Sequence, residues 1–458
     1  MEKKISRRDF LKVGATSVTA VMLASCAPQA TEMPAAPVST EAPQAPATVD
    51  FLAWGDPADI EAWDKLKALY EERNPNITVN VTTVADPNAN FYPKLQTMIA
   101  GGTPPHVSSF QGWEWQTYAD QDVLAPIDDF VAANEYYKKL YPEGIASLDI
   151  SSRRNGKTYL IPMQMATMVM FYVKKYFDDA GLPYPTADWT FEEFLDTAKQ
   201  LTDTCGDFKK FGYQANGQWF RDISWIRGTG QQEFDSIVDP KKAQFSTPEI
   251  VDIIQTVASD VYHTLNISPT TADLEGGANT IETGNVAMKY EGAWFFGRLN
   301  SPDLRAEGKQ IEFDVVLMPK MADPARPTRG WAEGIVLPKS SNVEAGWGFA
   351  SFMAGEEGDK IYAETTGRIP NTFELTESFW IPTIKEKFGV ENGQVFLDSL
   401  KTSEVDVISG VPRSKMWSEV VKPTAYDALT AGSATAAEVL PKVDQELQAL
   451  LDEYWASK

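Results

Sequence analysis

Between Val49 and Gly102 the apolar residues alternate between strand and helix spacing, and this order limits the fold more than any other feature of the chain. Val49 to Trp54 reads as a short strand. Asp56 and Asp59 can cap the next segment, where Trp63, Leu66, Leu69 and Tyr70 recur at helical spacing up to Arg73, and Asn74-Pro75 stops it. Ile77 to Val84 alternates as a strand. Phe91 to Ala100 is helical, with Leu95, Met98 and Ile99 on one face, and Gly101-Gly102 ends it. A β-α-β-α start predicts an α/β protein with a mostly parallel sheet covered by helices.

Later segments fit the same class. Asn155-Gly156 is a hairpin signal. Leu160 to Val173 is apolar except at Gln164 and Thr167, which suits a buried strand. Thr190-Phe191-Glu192-Glu193 is a capping box, and Thr247-Pro248 opens a helix with proline in its first position. Strands are expected at Val286–Phe296, Phe313–Leu317 and Gly334–Leu337, and helices at Gly346–Met353 and Val411–Trp455 with a break near Gly432. No internal repeat is present.

The N-terminus carries an address. A basic start with Arg7-Arg8-Asp9-Phe10-Leu11-Lys12 precedes an apolar run, Val13 to Ala24, and then Leu23-Ala24-Ser25-Cys26. This order predicts a signal peptide over residues 1–25, of twin-arginine type, although a general secretory route would serve equally. The cysteine resembles a lipobox, so Cys26 is expected to be lipidated and to anchor the protein to the outer face of the cytoplasmic membrane. Residues 26–48 hold five prolines after Cys26 and only two charges, Glu32 and Glu41, and are expected to form a spacer. At about 3.1 Å per residue in proline-rich chain, it reaches roughly 60–70 Å.

From Val49 onward there are about 410 residues, enough for two domains or one large one. The formal charge of −23 becomes about −26 once the basic leader is removed. Such a chain repels phosphate backbones, which argues against nucleic acid as a partner. With Cys26 acylated, Cys205 is the remaining thiol, so no internal disulfide forms; it is expected to be inert.

Enzymatic signatures are scarce. His106 and His263 are the only histidines, and neither lies in a zinc-binding pattern, so no metal is expected. There is no GxSxG elbow and no phosphate-binding loop, and Gly228-Thr229-Gly230 lacks a third glycine; no cofactor is expected. Asp86-Pro87-Asn88-Ala89-Asn90 mimics a calcium loop, but Phe91 and Thr97 stand where glycine and glutamate are needed. The excess is aromatic: of 13 tryptophans, several sit in polar or glycine-rich surroundings. These are Trp54-Gly55-Asp56, Gln111-Gly112-Trp113-Glu114-Trp115, Gln218-Trp219, Trp225-Ile226-Arg227, Glu291-Gly292-Ala293-Trp294 and Gly330-Trp331-Ala332-Glu333. A flat aromatic covers the C–H face of a sugar, and neighbouring polar groups bind its hydroxyl edge. Trp63 and Trp347 continue helical apolar stripes and fit core packing instead.

Ordered landmarks carry a resemblance. Tyr92-Pro93-Lys94-Leu95-Gln96-Thr97-Met98-Ile99-Ala100-Gly101-Gly102-Thr103-Pro104-Pro105, Leu124-Ala125-Pro126-Ile127-Asp128-Asp129-Phe130 and Gly156-Lys157-Thr158-Tyr159-Leu160-Ile161-Pro162 are among them. Phe177 to Pro183, Trp189 to Phe194, Gly284 to Met288 and Gly367 to Pro370 follow. In this order they resemble the extracellular solute-binding proteins of carbohydrate ABC importers, family 1. Two departures are His106, where the family usually has Asp, and Val173, where Asn usually precedes the lysine.

The resemblance implies a two-lobed, periplasmic-binding-protein-like (type II) fold with a hinge and an interlobe cleft. Lobe 1 is expected over 49–162 plus 315–365 and lobe 2 over 163–314 plus 366–458. The implied role is that of a non-enzymatic monomer that captures a sugar, probable length several units, and delivers it to ABC permease subunits. Stacking is expected from Trp54, Trp113, Trp219, Trp225, Trp294 and Trp331, and polar contacts from Asp56, Gln111, Arg227, Glu291, Glu333 and Arg368. A secreted carbohydrate-active enzyme and a sugar sensor or adhesin without a transporter remain the alternatives.

Overall fold

The computed structural model describes residues 47–84, 90–205, 209–340 and 342–458. The signal peptide, Cys26, nearly all of the spacer and most of the Asp86–Asn90 loop lie outside the described residues. The first strand, β1 (Ala47–Trp54), starts two residues before its expected beginning.

The helix Pro57–Arg73 forms where its caps predict. Asp56 accepts hydrogen bonds from the backbone N–H of Ala58 and Asp59 (2.9 and 3.1 Å), and Asp59 accepts from that of Asp56 (2.9 Å). Pro57 occupies the first turn, where no N–H is needed. Ala62, Trp63, Leu66 and Tyr70 are buried, and Trp63 stacks on Tyr362 with ring centroids 4.8 Å apart.

β1 pairs in parallel with β2 (Ile77–Val84) and β3 (Val107–Phe110). The Asn155-Gly156 turn joins β4 (Arg153–Arg154) to β5 (Lys157–Thr158), with both turn residues at positive φ (51° and 74°). Beyond this point the expected parallel sheet gives way to a mixed one. β6 (Ile161–Val173) has every residue buried; its first half pairs antiparallel with β9 (Thr328–Val336). Its second half pairs antiparallel with β7 (Met288–Gly292) and β8 (Phe313–Val316). β9 also pairs antiparallel with β3 and, at its start, in parallel with β10 (Ser403–Glu404). The departure has a topological cause. β6 and β9 run between the two halves of the molecule in opposite directions, so each half shares them antiparallel.

Each half has a core of its own, and a further cluster joins them, with Leu52, Phe91 and Phe110 packed alongside Phe171, Val286 and Phe296. One of the two cores gathers Phe51, Trp63, Leu66, Phe349 and Met353 beneath β1. The other gathers Trp219, Trp225, Ile250, Ile254, Tyr290, Val443 and Leu447. β8 pairs with the second half of β6, and Met318 packs in the second of these cores. β9 begins six residues before the expected Gly334, because its polar and small residues mask a strand that is buried throughout. The expected strand Val286–Phe296 stops at Gly292, and Ala293–Phe295 forms a single 3-10 turn. In the C-terminal region the helical path runs from Arg413 to Thr430, and after the Gly432 break a second helix spans Ala436–Ala456.

Candidate functional site

Three strand ends and one through-running strand converge on a cavity of about 340 Å³, at the small end of the roughly 300–1,000 Å³ usual for ligand pockets. Trp54 ends β1, Gln111 and Trp113 follow β3, and Trp294 follows β7. Ligands in α/β sheets bind outside such carboxyl ends. β9 crosses the site, and Arg329, Trp331 and Glu333, spaced by two, share one face and line the cavity. Gln218, Phe220 and Arg221 come from the start of the helix Trp219–Gly228, and Arg368 and Arg413 complete the wall.

Two glycines let the aromatics approach. A Cβ on Gly112 would lie 2.3 Å from the Ala332 carbonyl oxygen, so glycine is what allows the Trp113 loop to rest on β9. A Cβ on Gly292 would lie 2.2 Å from the Trp294 ring, which folds back over that backbone. Trp113 then meets Trp331 edge-on, with centroids 5.0 Å apart, and Trp331 meets Trp294 at 5.7 Å in a tilted pair. Trp113 is supplied by one half of the molecule and Trp294 by the other, with β9 between them.

The polar groups form ordered ion pairs around this aromatic row. Arg329 grips Asp406 through Nε and Nη2, both at 2.7 Å, and its guanidinium lies 4.2 Å from the Trp331 ring centroid. Arg413 donates through Nη1 to the same Asp406 (2.6 Å) and is sandwiched between Phe220 (4.2 Å) and Trp113 (4.6 Å). Burial opposes ionisation of Asp406, but the charges of Arg329, Arg413 and Arg227 overcome it and hold its carboxyl below the usual range. Arg368 grips Asp59 through Nε (3.1 Å) and Nη2 (2.7 Å), and reaches Asp56 at 3.3 Å. Arg221 donates to both oxygens of Glu291 (2.8 and 2.9 Å), and Trp294 Nε1 donates to Glu291 Oε1 (3.0 Å). Glu333 accepts from Gln164 Nε2 at 2.6 Å. Burial pushes its carboxyl up to about 7, with Arg368 pulling the other way. Burial likewise pushes the neighbouring Glu114 up to about 7.

Several buried polar atoms at this cavity have no partner among the described residues: Nε1 of Trp54, Oε1 of Gln111 and Nε of Arg413; the indole N–H groups of Trp113 and Trp331 act on the carboxyls of Glu114 and Glu333. Buried polar groups are seldom left unpaired, and each calls for a reason.

Trp54, Gln111, Trp113, Trp294, Trp331, Glu333 and Arg368 are thus brought together on one cavity. Glu291 sits behind it, orienting Arg221 and Trp294, and Asp56 lies at its edge beside Arg368. Trp219, Trp225 and Arg227 are corrections. Trp219 is 1% exposed and packs on Phe234 and Phe245. Trp225 is 0% exposed, enclosed by Phe191, Phe194 and Tyr290. Arg227 spends its donors on Glu233, Glu404 and the Val405 carbonyl. All three are buried, and none of them lines the cavity.

Gln218, Phe220, Arg221, Arg329 and Arg413 line the cavity without having been anticipated. Arg329 was within reach, since it lies two residues before Trp331 on a strand. Phe220 and Arg221 follow Trp219, which marks the right helix through the wrong side chain. Nothing local distinguishes Arg413. Among the described residues no group of three or more His, Cys, Asp or Glu is arranged to hold a metal ion, and no helix is long and apolar enough to cross a membrane.

Comparison with known proteins follows the same lines. A binding protein of Brucella abortus is 24% identical over 315 residues, 67% of this chain and 72% of that one. Among solved structures, an ABC substrate-binding protein from Listeria monocytogenes in complex with cycloalternan superposes with a TM-score of 0.75. It is 23% identical, and the match covers 89% of this chain and 99% of that one. Maltose-bound MalE3 of T. maritima superposes with a TM-score of 0.71 at 18% identity, covering 88% and 100%. The fold is therefore α/β and two-lobed, of the periplasmic-binding-protein kind. The profile described as bacterial extracellular solute-binding protein matches residues 54–360. The chain belongs to the family of bacterial extracellular solute-binding proteins.

Proposed function

We propose that the protein captures a sugar, an oligosaccharide, between its two lobes and delivers it to the permease subunits of an ABC importer. One observation carries this reading: the cavity combines flat aromatic faces with unpartnered buried donors and an unpartnered acceptor, contributed from both halves. The Trp54 indole N–H and Arg413 Nε donate, and Gln111 Oε1 accepts. A sugar hydroxyl does both at once, while the ring's C–H face covers an indole. The relatives' ligands, cycloalternan and maltose, are of this class.

Contacts on both halves favour the closed state, since a ligand that distinguishes two conformations shifts their populations. Lobe 1 spans about 49–162 and the segment from β9 to about residue 365; lobe 2 holds the rest, with β6 and β9 as the hinge. Cys26 carries the lipid, residues 27–48 act as the tether, and a single copy serves as the carrier. Glycoside hydrolysis needs two carboxyl groups about the scissile bond. Glu333 is the one carboxyl residue among those lining the cavity, which favours binding over turnover.

The test is a thermal melt of the purified protein against sugars, polyols, amino acids and peptides. A ligand at 100 times its Kd stabilises the fold by about 2.7 kcal/mol. Carbohydrate is expected to raise the midpoint and to be recovered intact by mass spectrometry. Silence from every carbohydrate, with a shift from an amino acid or peptide, contradicts the reading. Cleavage of the bound sugar would turn it into an enzyme. Loss of lipid labelling in Cys26→Ala tests the anchor.

A further inference from the structure

The arginines around the cleft differ in one respect that bears on the ligand. A guanidinium binds a carboxylate best through a parallel pair of N–H bonds. Arg227 gives its Nε and Nη2 pair to Glu233, Arg329 gives the same pair to Asp406, and Arg368 gives it to Asp59. Arg221 and Arg413 do not: Arg221 meets Glu291 through Nη1 alone, and its side chain is partly exposed, whereas Arg413 is buried. Arg413 engages Asp406 through Nη1, and its Nε, though buried, has no partner among the described residues. The residue itself is 8% exposed and lines the cavity. Its planar group is clamped between Phe220 and Trp113, so the unpartnered Nε is held in place.

Charge points the same way. Arg329 and Arg413 share the single carboxylate of Asp406. Glu114, the other carboxyl whose charge acts on Arg413, makes no ion pair with it within 4.0 Å among the described residues. Of the other arginines lining the cavity, Arg221 is matched by Glu291 and Arg368 by Asp59 and Asp56, so the excess of guanidinium over carboxylate is confined to the Arg329–Asp406–Arg413 group. A buried charged donor left unpaired is costly, and a ligand carboxylate supplies the missing partner.

Resting on the carbohydrate reading above, we infer that the ligand is an acidic oligosaccharide whose hexuronate carboxylate is bound through the unpartnered Nε of Arg413. Trp113 and Phe220 hold the guanidinium, and Asp406 positions it from behind. The neutral remainder of the chain lies along Trp331 and Trp294.

Matched pairs of oligosaccharides test this. Oligogalacturonates, oligomannuronates and oligoglucuronates are titrated calorimetrically beside the same chains with their carboxyl groups reduced to neutral hexoses. At least one uronate is expected to bind tenfold or more tightly than its reduced twin. Arg413→Lys, which keeps the charge but loses the fork, and Arg413→Gln both erase most of that preference, with ligand-free melting reporting that each variant is folded. Equal or tighter binding of the neutral twins overturns the inference and leaves the sugar reading intact. Preference that persists in both folded variants overturns the role of Arg413. If neither acidic nor neutral sugars bind, the carbohydrate reading fails and this inference with it.

Discussion

Trp225 and Trp294 use the same side chain in opposite ways. Trp225 sits in the core of the second half, with Phe194 stacked 5.3 Å away and Tyr290 beyond it. Trp294 lies at a strand end, half-buried, with its N–H fixed on Glu291 and its ring beside Trp331 at the cavity. The indole contributes packing area in the first place and an oriented, accessible surface in the second. The difference comes from the elements that carry them. A helix buried from Asp222 to Gly228 encloses Trp225, whereas a chain reversal after β7 leaves Trp294 beside open space.

This contrast breaks most visibly under substitution. Trp225→Ala is expected to destabilise the fold by about 4 kcal/mol, the cost of a large cavity in a packed core. Denaturant unfolding measures it, and the folded fraction should keep its ligand affinity. Asp406→Asn should cost about 3 kcal/mol by leaving Arg329 and Arg413 without their buried carboxylate, and should weaken binding as well because both arginines line the cavity. Trp294→Ala should behave as the inverse of Trp225→Ala. It should lose tenfold or more in affinity, about 1.4 kcal/mol, with a smaller stability change than Trp225→Ala.

The cleft should also show in the pH dependence of stability. The Glu333 carboxyl is raised to about 7 in the folded chain by burial. Because the folded state holds that proton more tightly than the unfolded chain, stability is greatest below the unfolded value. It declines as pH rises toward 7 and then levels. Glu333→Gln should flatten this decline by about 3 kcal/mol, read as unfolding midpoints between pH 4.5 and 7.5. At the far end of the scale, Arg73→Ala removes an exposed pair with Glu357 and should not move the midpoint resolvably.

Legibility followed whether a signal was local. The capping boxes at Asp56 and Thr190, the Asn155-Gly156 turn and the buried strand β6 are set by neighbours in the sequence, and the structure contains them. Seven of the twelve candidate contacts lie on the cavity because tryptophans near glycines and polar residues mark strand ends. Trp219 and Trp225 carried a similar local signature but lie in a helix whose stripe of Trp219, Ile223 and Ile226 faces the core. A helical projection would have flagged that stripe and turned Phe220 to the other side. The antiparallel half of the sheet was hidden for another reason. β9 pairs with β6 across more than 150 residues, and such pairing leaves no trace in spacing. Arg413 is the extreme case, since its place depends on Asp406, Phe220 and Trp113 from three separate segments.

The most direct measurement of the central claim, that one sugar is held by both halves, compares Trp54→Ala with Trp294→Ala. The carbohydrate that raises the melting midpoint is titrated calorimetrically into the parent protein and each folded variant. The account predicts that each substitution alone weakens binding tenfold or more. Unchanged affinity in either variant would place the sugar on one half only and contradict it.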